Sequence, residues 1–263
     1  MSESSAERIL AILSVFSEAR PEWTPEELIQ HLGYARPTLY RYVKTLREAG
    51  LLTALPHGGL MLGPKVVELD WLMRRSDPLL AAGRPHIERL ARRHPATALL
   101  VRWYGTRLLC VESACSTPDP LTSYPRGRPM PISRGAIGRA ILAFLPRRRQ
   151  RELVARGLED FVALGLGHDV DSVLDRLREV RRAGHAVAHG EVTPGVVGIA
   201  APVFDAGPSP IAALCLTVAA AEIGPDRPLE RLSAEVMEAA AQTSRTLGRL
   251  RGEPQVERAR RSA

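Results

Sequence analysis

Between Arg36 and Lys44 the chain gathers two guanidiniums, one ammonium and several hydroxyls into nine residues, ARPTLYRYVK with its leading alanine. If this stretch is helical, successive residues turn by about 100°. Leu39, Tyr42, Val43 and Leu46 then share one side, at the spacing of a buried stripe. Pro37, Tyr40, Arg41 and Lys44 fall on the opposite side, with Arg36 and Thr38 at the N-terminal end. Such a face has the chemistry of nucleic-acid recognition. Arg41 suits a base edge in the major groove, Lys44 a phosphate, and Tyr40 adds an aromatic hydroxyl. Thr38 and the unpaired N–H groups of a first helical turn also suit a phosphate. A solvated charged face on a core helix has the same composition, so the flanking elements must decide.

Other chemistry finds little footing. Cys110, Cys115 and Cys215 are too few and too irregularly spaced for a disulfide framework or a paired-ligand zinc site, and read as small buried hydrophobes. No GxSxG elbow, Walker-type phosphate loop or glycine fingerprint is present. Asp169 and Asp171 lie near each other, but in a position that also caps a helix, with no evident base or metal beside them. We therefore expect no catalytic residue, no metal and no cofactor.

The elements around residues 36–44 favour DNA. Ile9, Leu10, Ile12, Leu13 and Phe16 mark a first helix over 6–16. Thr24-Pro25-Glu26-Glu27 supplies an N-cap, a first-turn proline and a capping-box glutamate for a second helix ending at Gly33. After a very short turn the third helix runs from Arg36 to Ala49 and stops at Gly50. Leu51-Leu52 and Leu60-Met61-Leu62 flank the turn Pro56-His57-Gly58-Gly59 and read as a β-hairpin. Helix, helix, tight turn, helix, hairpin is a winged helix-turn-helix, expected over 1–63, with His57 at the wing tip. A linker helix is expected over 64–77, its apolar side formed by Val66, Val67, Leu69, Leu72 and Met73.

A second domain is expected over 78–252 and a basic flexible tail over 253–263. A helix to about Arg93 precedes strand-like runs at 98–104 and 108–113 and a Pro/Gly-rich loop from Thr117 to Arg134. Helices follow from Gly135 and over 171–183, strands at 186–191, 196–204 and 211–219, and a last helix over 228–250. Strands and helices that mix without strict alternation predict an α+β fold, a sheet with helices packed on it.

The bulk numbers set limits. The chain has 263 residues, 45% of them hydrophobic and only 5% aromatic, so its cores rest on aliphatic side chains. No apolar run approaches the roughly 18 residues of a membrane span, and MSESSAERIL lacks the pattern of a secretion signal, so a cytoplasmic protein is expected. Net charge is +7, yet residues 1–75 hold as many acidic as basic side chains. Total charge is therefore no argument for DNA binding by the winged helix, which rests on local placement.

With these motifs in order along the chain, the sequence resembles the IclR-type regulators from about Glu7 to Leu250. ARPTLYRYVKTLREAGLL matches at Thr38, Arg41, Leu46 and Gly50, and LMLGPKVVEL resembles the entry to the family's linker helix. RGRPMPISRGAIGRAILAFLP is similar to the junction of a proline-rich loop with a helix. RRAGHAVAHGEVTPGVVGIAAPVFD matches at Gly184, Glu191, Gly195, 199–203 and Asp205. The resemblance implies a GAF-like α/β effector-binding domain, homodimers or tetramers, and a double-stranded DNA operator as partner. It also implies an effector pocket at the helix start of 135–139, where the N–H groups of Gly135 and Ala136 would meet a small carboxylate. Some relatives carry an acid and a thiol or hydroxyl at the positions of Ala188 and Gly198. Two small apolar residues there predict a roomier, less polar pocket and an effector bulkier or more apolar than glyoxylate or pyruvate.

Nearby polar residues admit two readings. Ser133 and Arg134 either position the effector or, respectively, cap the helix and point to water; Glu191 and His189 either line the pocket or brace the loop. His185 and Cys215 read as packing residues, as do Trp103 and Trp71, the latter at a dimer seam. The expected function is a DNA-binding transcriptional repressor modulated by a small effector. The alternatives are a sensor module whose winged helix contacts protein and, behind it, an enzyme.

Overall fold

In the computed structural model residues 4–252 are described, and they form two compact units that divide between Asp77 and Pro78. The expected tail at 253–263 lies outside the described residues.

The first unit opens with α1 (Ser5–Ser14), started by a reciprocal capping box between Ser4 and Glu7. The helix ends two residues before the expected Phe16, because the main chains of Ser17 and Arg20 exchange hydrogen bonds at 3.1 Å and turn the chain. Helix α2 (Pro25–Leu32) begins with the capping box of Thr24 and Glu27 and ends at Gly33 in the left-handed region. Helix α3 (Arg36–Glu48) follows. Strands β1 (Leu52–Ala54) and β2 (Leu60–Leu62) pair antiparallel, with Leu52 opposite Leu62. The main chain of Trp23 exchanges hydrogen bonds with Leu60 and ties the hairpin to the segment before α2. Ile12, Leu28, Leu39, Val43, Leu46 and Leu52 form the core of this unit. Helix α4 (Lys65–Ser76) stands at the expected linker position, but none of its residues is buried.

The second unit runs through α5 (Pro78–Arg93), β3 (Ala96–Trp103), β4 (Leu108–Cys115), β5 (Pro129–Met130) and α6 (Gly135–Leu142). It continues with α7 (Arg147–Arg156), α8 (Leu158–Ala163), α9 (Val170–Ala183), β6 (Ala186–His189), β7 (Val196–Phe204), β8 (Pro210–Ala219) and α10 (Leu229–Gly252). Its six strands form one antiparallel sheet in the order β5-β4-β3-β8-β7-β6.

Side-chain alternation sorts the two faces. Ala96, Ala98 and Leu100 of β3 join Ile199, Leu214 and Leu216 in a core under α5 and α10. Leu99 and Val101 turn to the other face, where Cys110, Ala200 and Cys215 meet α6 and α9. With helices on both sides, β3 is buried without a break from Ala96 to Val101, which explains its near-continuous apolar sequence. Sheet and helices thus give the expected α+β architecture. Two features were not foreseen. The 117–134 loop contains β5, and α7 and α8 fill a stretch that the local signals left unassigned.

Candidate nucleic-acid interface and ligand cavity

Helix α3 turns Leu39, Tyr42, Val43 and Leu46 into the core of its unit. Arg36, Pro37, Tyr40, Arg41 and Lys44 are exposed and Thr38 is half-buried. Two of the three cations already have acidic neighbours. Arg36 Nη2 lies 3.1 Å from Glu26 Oε1, which also accepts from the Tyr40 hydroxyl at 3.1 Å, and Lys44 Nζ is 3.8 Å from Glu48. The Arg41 guanidinium instead stands over the Tyr42 ring, 5.4 Å from its centroid. A guanidinium carries five N–H donors in a fixed fork, so this stacking leaves donors available to an outside acceptor.

The helix start offers less to a phosphate than its sequence suggests. Pro37 has no N–H. The Thr38 N–H donates to Ala35 O at 2.9 Å, so it is already occupied. The first turn holds no acid and Ala35 provides no side-chain cap, so positive potential stays at this end. His57, at the wing tip, lies 3.2 Å from Glu22.

In the second unit a cavity of about 60 Å³ lies beside the start of α6. One water takes about 10–15 Å³ on that measure, so the space exceeds a single water several-fold. Leu99, Leu108 and Cys215 line it from the sheet, and Tyr124, Met130 and Pro131 from the loop before α6. Of the six residues expected here, Gly135, Ala136, Ala188, Glu191 and Gly198 line the cavity. Ser133 does not.

Ala188 and Gly198 are directly opposite each other in the β6–β7 pairing. A Cβ placed on Gly198 would sit 3.9 Å from Ala136 Cβ and 3.9 Å from Thr217 Cγ2, ordinary contact distances. Gly135 is held at φ 77°, a conformation open to glycine without penalty, and a Cβ there would press on Val192 at 3.1 Å.

The polar groups around the helix start form two ionic clusters. In the first, Glu191 folds back across the β6–β7 turn. Its Oε2 accepts from Gly135 N–H at 3.0 Å and from Arg139 Nη1 at 2.8 Å, and its Oε1 from Arg139 Nη2 at 2.7 Å. Arg139 Nη2 also donates to Val187 O at 2.7 Å. The side chains are only 6% and 14% exposed, so this is a buried, bidentate ion pair with a further hydrogen bond to Val187 O. Glu191 therefore both lines the cavity and braces the loop. The Gly135 N–H, expected to meet a ligand carboxylate, already holds an internal one. The N–H groups of Ala136 and Ile137, next along the helix, have no intrahelical acceptor, and both residues line the cavity.

In the second cluster Ser133 Oγ donates to Asp160 Oδ2 at 2.6 Å, and Arg134 Nε and Nη2 donate to Asp160 Oδ1 at 3.2 and 2.8 Å. The Ser133 hydrogen bond and the Arg134 guanidinium hold the Asp160 carboxyl below its usual range. Asp160, on α8, carried no sequence signal, because neither its helix nor its distance from Ser133 shows in any local pattern.

The Cys215 thiol in the cavity wall is not activated. Burial pushes the Cys215 thiol up to about 12, so it stays protonated. Its neighbour Cys110 is likewise raised to about 12. Among the described residues no helix is long and apolar enough to cross a membrane.

Residues 5–56 match the family model for the IclR helix-turn-helix domain, and residues 74–245 match that for the C-terminal part of the bacterial transcriptional regulator IclR. The HTH-type transcriptional regulator KipR of Bacillus subtilis is 27% identical over 241 residues, 91% of this chain and 95% of that protein. A crystal structure of an IclR transcriptional regulator from Alicyclobacillus acidocaldarius aligns with a TM-score of 0.75 at 26% identity, covering 93% of this chain and 97% of the other. An IclR homologue from Microbacterium hydrocarbonoxydans, complexed with 4-hydroxybenzoate, aligns with a TM-score of 0.74 at 23% identity, covering 93% and 99%. This last likeness bears on the fold alone.

Proposed function

The chain belongs to the IclR family of bacterial transcriptional regulators, and from that premise we propose that the outer face of α3 reads a duplex operator while the cavity beside α6 takes a small organic effector. It is a DNA-binding regulator with an effector-binding domain, as its relatives are, and not an enzyme. One observation carries the finer reading. The apolar stripe of α3 faces inward and leaves Arg41, Lys44 and Tyr40 outward on a helix of the size that fits the major groove. Arg41 contacts a base edge, Lys44 and Thr38 contact phosphate, and Arg36, Pro37 and Tyr40 shape the approach. The regulator acts as a repressor.

The cavity favours an effector with an apolar body and one anionic or polar end. Its wall is mostly apolar, and the polar groups it offers include the N–H groups of Ala136 and Ile137 at the helix start, together with Arg134, Thr193 and Thr217. The 4-hydroxybenzoate of the Microbacterium homologue is a ligand of that kind. Ala136, Ala188 and Gly198 give room for it, and Glu191 fixes the helix start against which it sits. Two copies act together, since paired half-sites are the usual way a helix-turn-helix gains affinity. The apolar side of α4, with Val67 71% and Trp71 57% exposed, supplies a surface for a second copy to cover.

The test is a footprint and mobility shift of the full chain on the duplex upstream of its own gene, with and without aromatic carboxylates. Sequence-specific, salt-sensitive binding is expected, changed by an aromatic carboxylate that also raises the thermal midpoint. No preference among duplexes would end the α3 reading. Stabilisation by pyruvate or glyoxylate alone would end the effector class.

A further inference from the structure

The winged-helix segment and the rest of the chain differ in charge. Residues 1–75 are balanced, so the whole surplus of +7 lies beyond them. Two of the α3 cations stand beside acids, Arg36 beside Glu26 of α2 and Lys44 beside Glu48. A protein that binds a polyanion draws most of its salt-dependent affinity from neutralised phosphates. Here the larger reserve of positive charge sits in the other unit.

Part of that reserve is concentrated on α7 and the turn beside it. Arg147, Arg148 and Arg149 are consecutive in the first turn of α7, followed by Arg151. Arg149 Nη2 donates to Gly105 O at 2.8 Å and so holds the β3–β4 turn, with exposed Tyr104 and Arg107, against this helix. Two carboxylates answer the group. Glu152 is shared by Arg148 and Arg149 at 3.3 and 2.9 Å, and Asp171 takes Arg151 at 2.6 Å. Arg147 and Arg107 pair with no carboxylate among the described residues, and the Arg148 side chain is 93% exposed.

Three cations also stand where acids are favoured, since a helix start carries positive potential. No acid lies in that first turn and no side chain caps it. Local rules are broken where function or strain compensates, and this cluster breaks one on an exposed face.

We propose that this arginine cluster of the effector-binding unit, Arg107, Arg147 and Arg148 foremost, is a second, sequence-neutral contact for the phosphate backbone of duplex DNA. Guanidiniums fit phosphate oxygens bidentately, and the exposed Tyr104 beside them can pack on a sugar edge. The contact adds affinity and salt dependence on any duplex and leaves sequence choice to α3.

The full chain carrying Arg107→Ala, Arg147→Ala and Arg148→Ala together tests this on a non-operator duplex, by fluorescence anisotropy over a salt series. The slope of log affinity against log salt should fall by about 2.7, at about 0.9 for each phosphate that the variant no longer neutralises. The matching triple Arg→Lys variant should recover most of the slope. The thermal midpoint should stay close to the parent's, because all three side chains are exposed. An unchanged slope with a folded triple variant overturns the proposal. So does a loss of binding to anionic lipid vesicles with duplex binding intact, which would reassign the surface to membranes. This result is separable from the role of α3. If Arg41→Ala leaves operator binding intact while the triple variant lowers the slope, the arginine cluster stands and the reading helix falls.

Discussion

Helices α3 and α6 begin alike in sequence and end differently in structure. Each opens beside an arginine, Arg36 or Arg134, with no acid in its first turn and no side-chain cap. By local rules both starts should attract an outside anion. At α6 the chain supplies that anion itself, because Glu191, 56 residues downstream, accepts from Gly135 N–H with Arg139 behind it. At α3 the nearest acid, Glu26, binds Arg36 and Tyr40 and leaves the backbone alone. One helix start is thus answered by an internal carboxylate, while at the other no carboxylate reaches the backbone, although Pro37 has no N–H and that of Thr38 is taken by Ala35 O. The difference separates a start that shapes a small cavity from one whose proposed partner is a polyanion.

The comparison can be broken most sharply at α6. Glu191→Ala leaves the buried Arg139 guanidinium without its partner, a loss of about 3–5 kcal/mol. At about 2–4 °C per kcal/mol for a unit of this size, the midpoint should drop by roughly 6–20 °C in calorimetry. A drop of only a degree or two would mean that Glu191 does not secure the helix start. Next in size is Arg41→Ala, expected to weaken operator binding by about 1–3 kcal/mol and to relax base preference at one position. If anisotropy titrations show the operator bound as tightly as by the parent, α3 is not the reader.

A smaller effect of opposite sign sharpens the contrast. Glu26→Gln removes the negative charge next to Arg36 and should tighten duplex binding by up to about 1 kcal/mol, the range of exposed ion pairs. Weaker binding would show that Glu26 positions Arg36 rather than restrains it. The smallest change belongs to Asp160. Its carboxyl is held low in the folded state, so its contribution is present above the ordinary carboxylate range and is lost as pH falls through the folded-state value. Asp160→Asn should flatten the acid limb of the stability curve, and an unaltered limb would show that the cluster with Ser133 and Arg134 adds nothing to folding.

What could be read ahead of the structure follows the same division. Local signals carried well: the Thr24–Glu27 box, the glycine after α2 and the stripe through Leu39, Val43 and Leu46 all appear where spacing put them. The strands announced themselves by continuous or alternating apolar runs. Helix α7 did not, because it opens on three arginines with no cap, the reverse of the usual start signal. The ionic clusters were equally hidden. Ser133 and Asp160 are 27 residues apart and Arg139 and Glu191 are 52 apart, and no local period links them. The resemblance to relatives drew attention to Glu191 but could not say that its carboxylate would take the Gly135 N–H.

Gly198 leaves a vacant seat in the middle of a strand, within ordinary reach of Ala136 and Thr217. Glycine weakens a strand and is kept there where something must come close to the backbone. A Cβ added at this residue would meet its neighbours only at ordinary contact distances, on a residue that lines the cavity. On the proposed reading, a single codon would then retune which molecule the cavity admits, while the residues of α3 stay as they are.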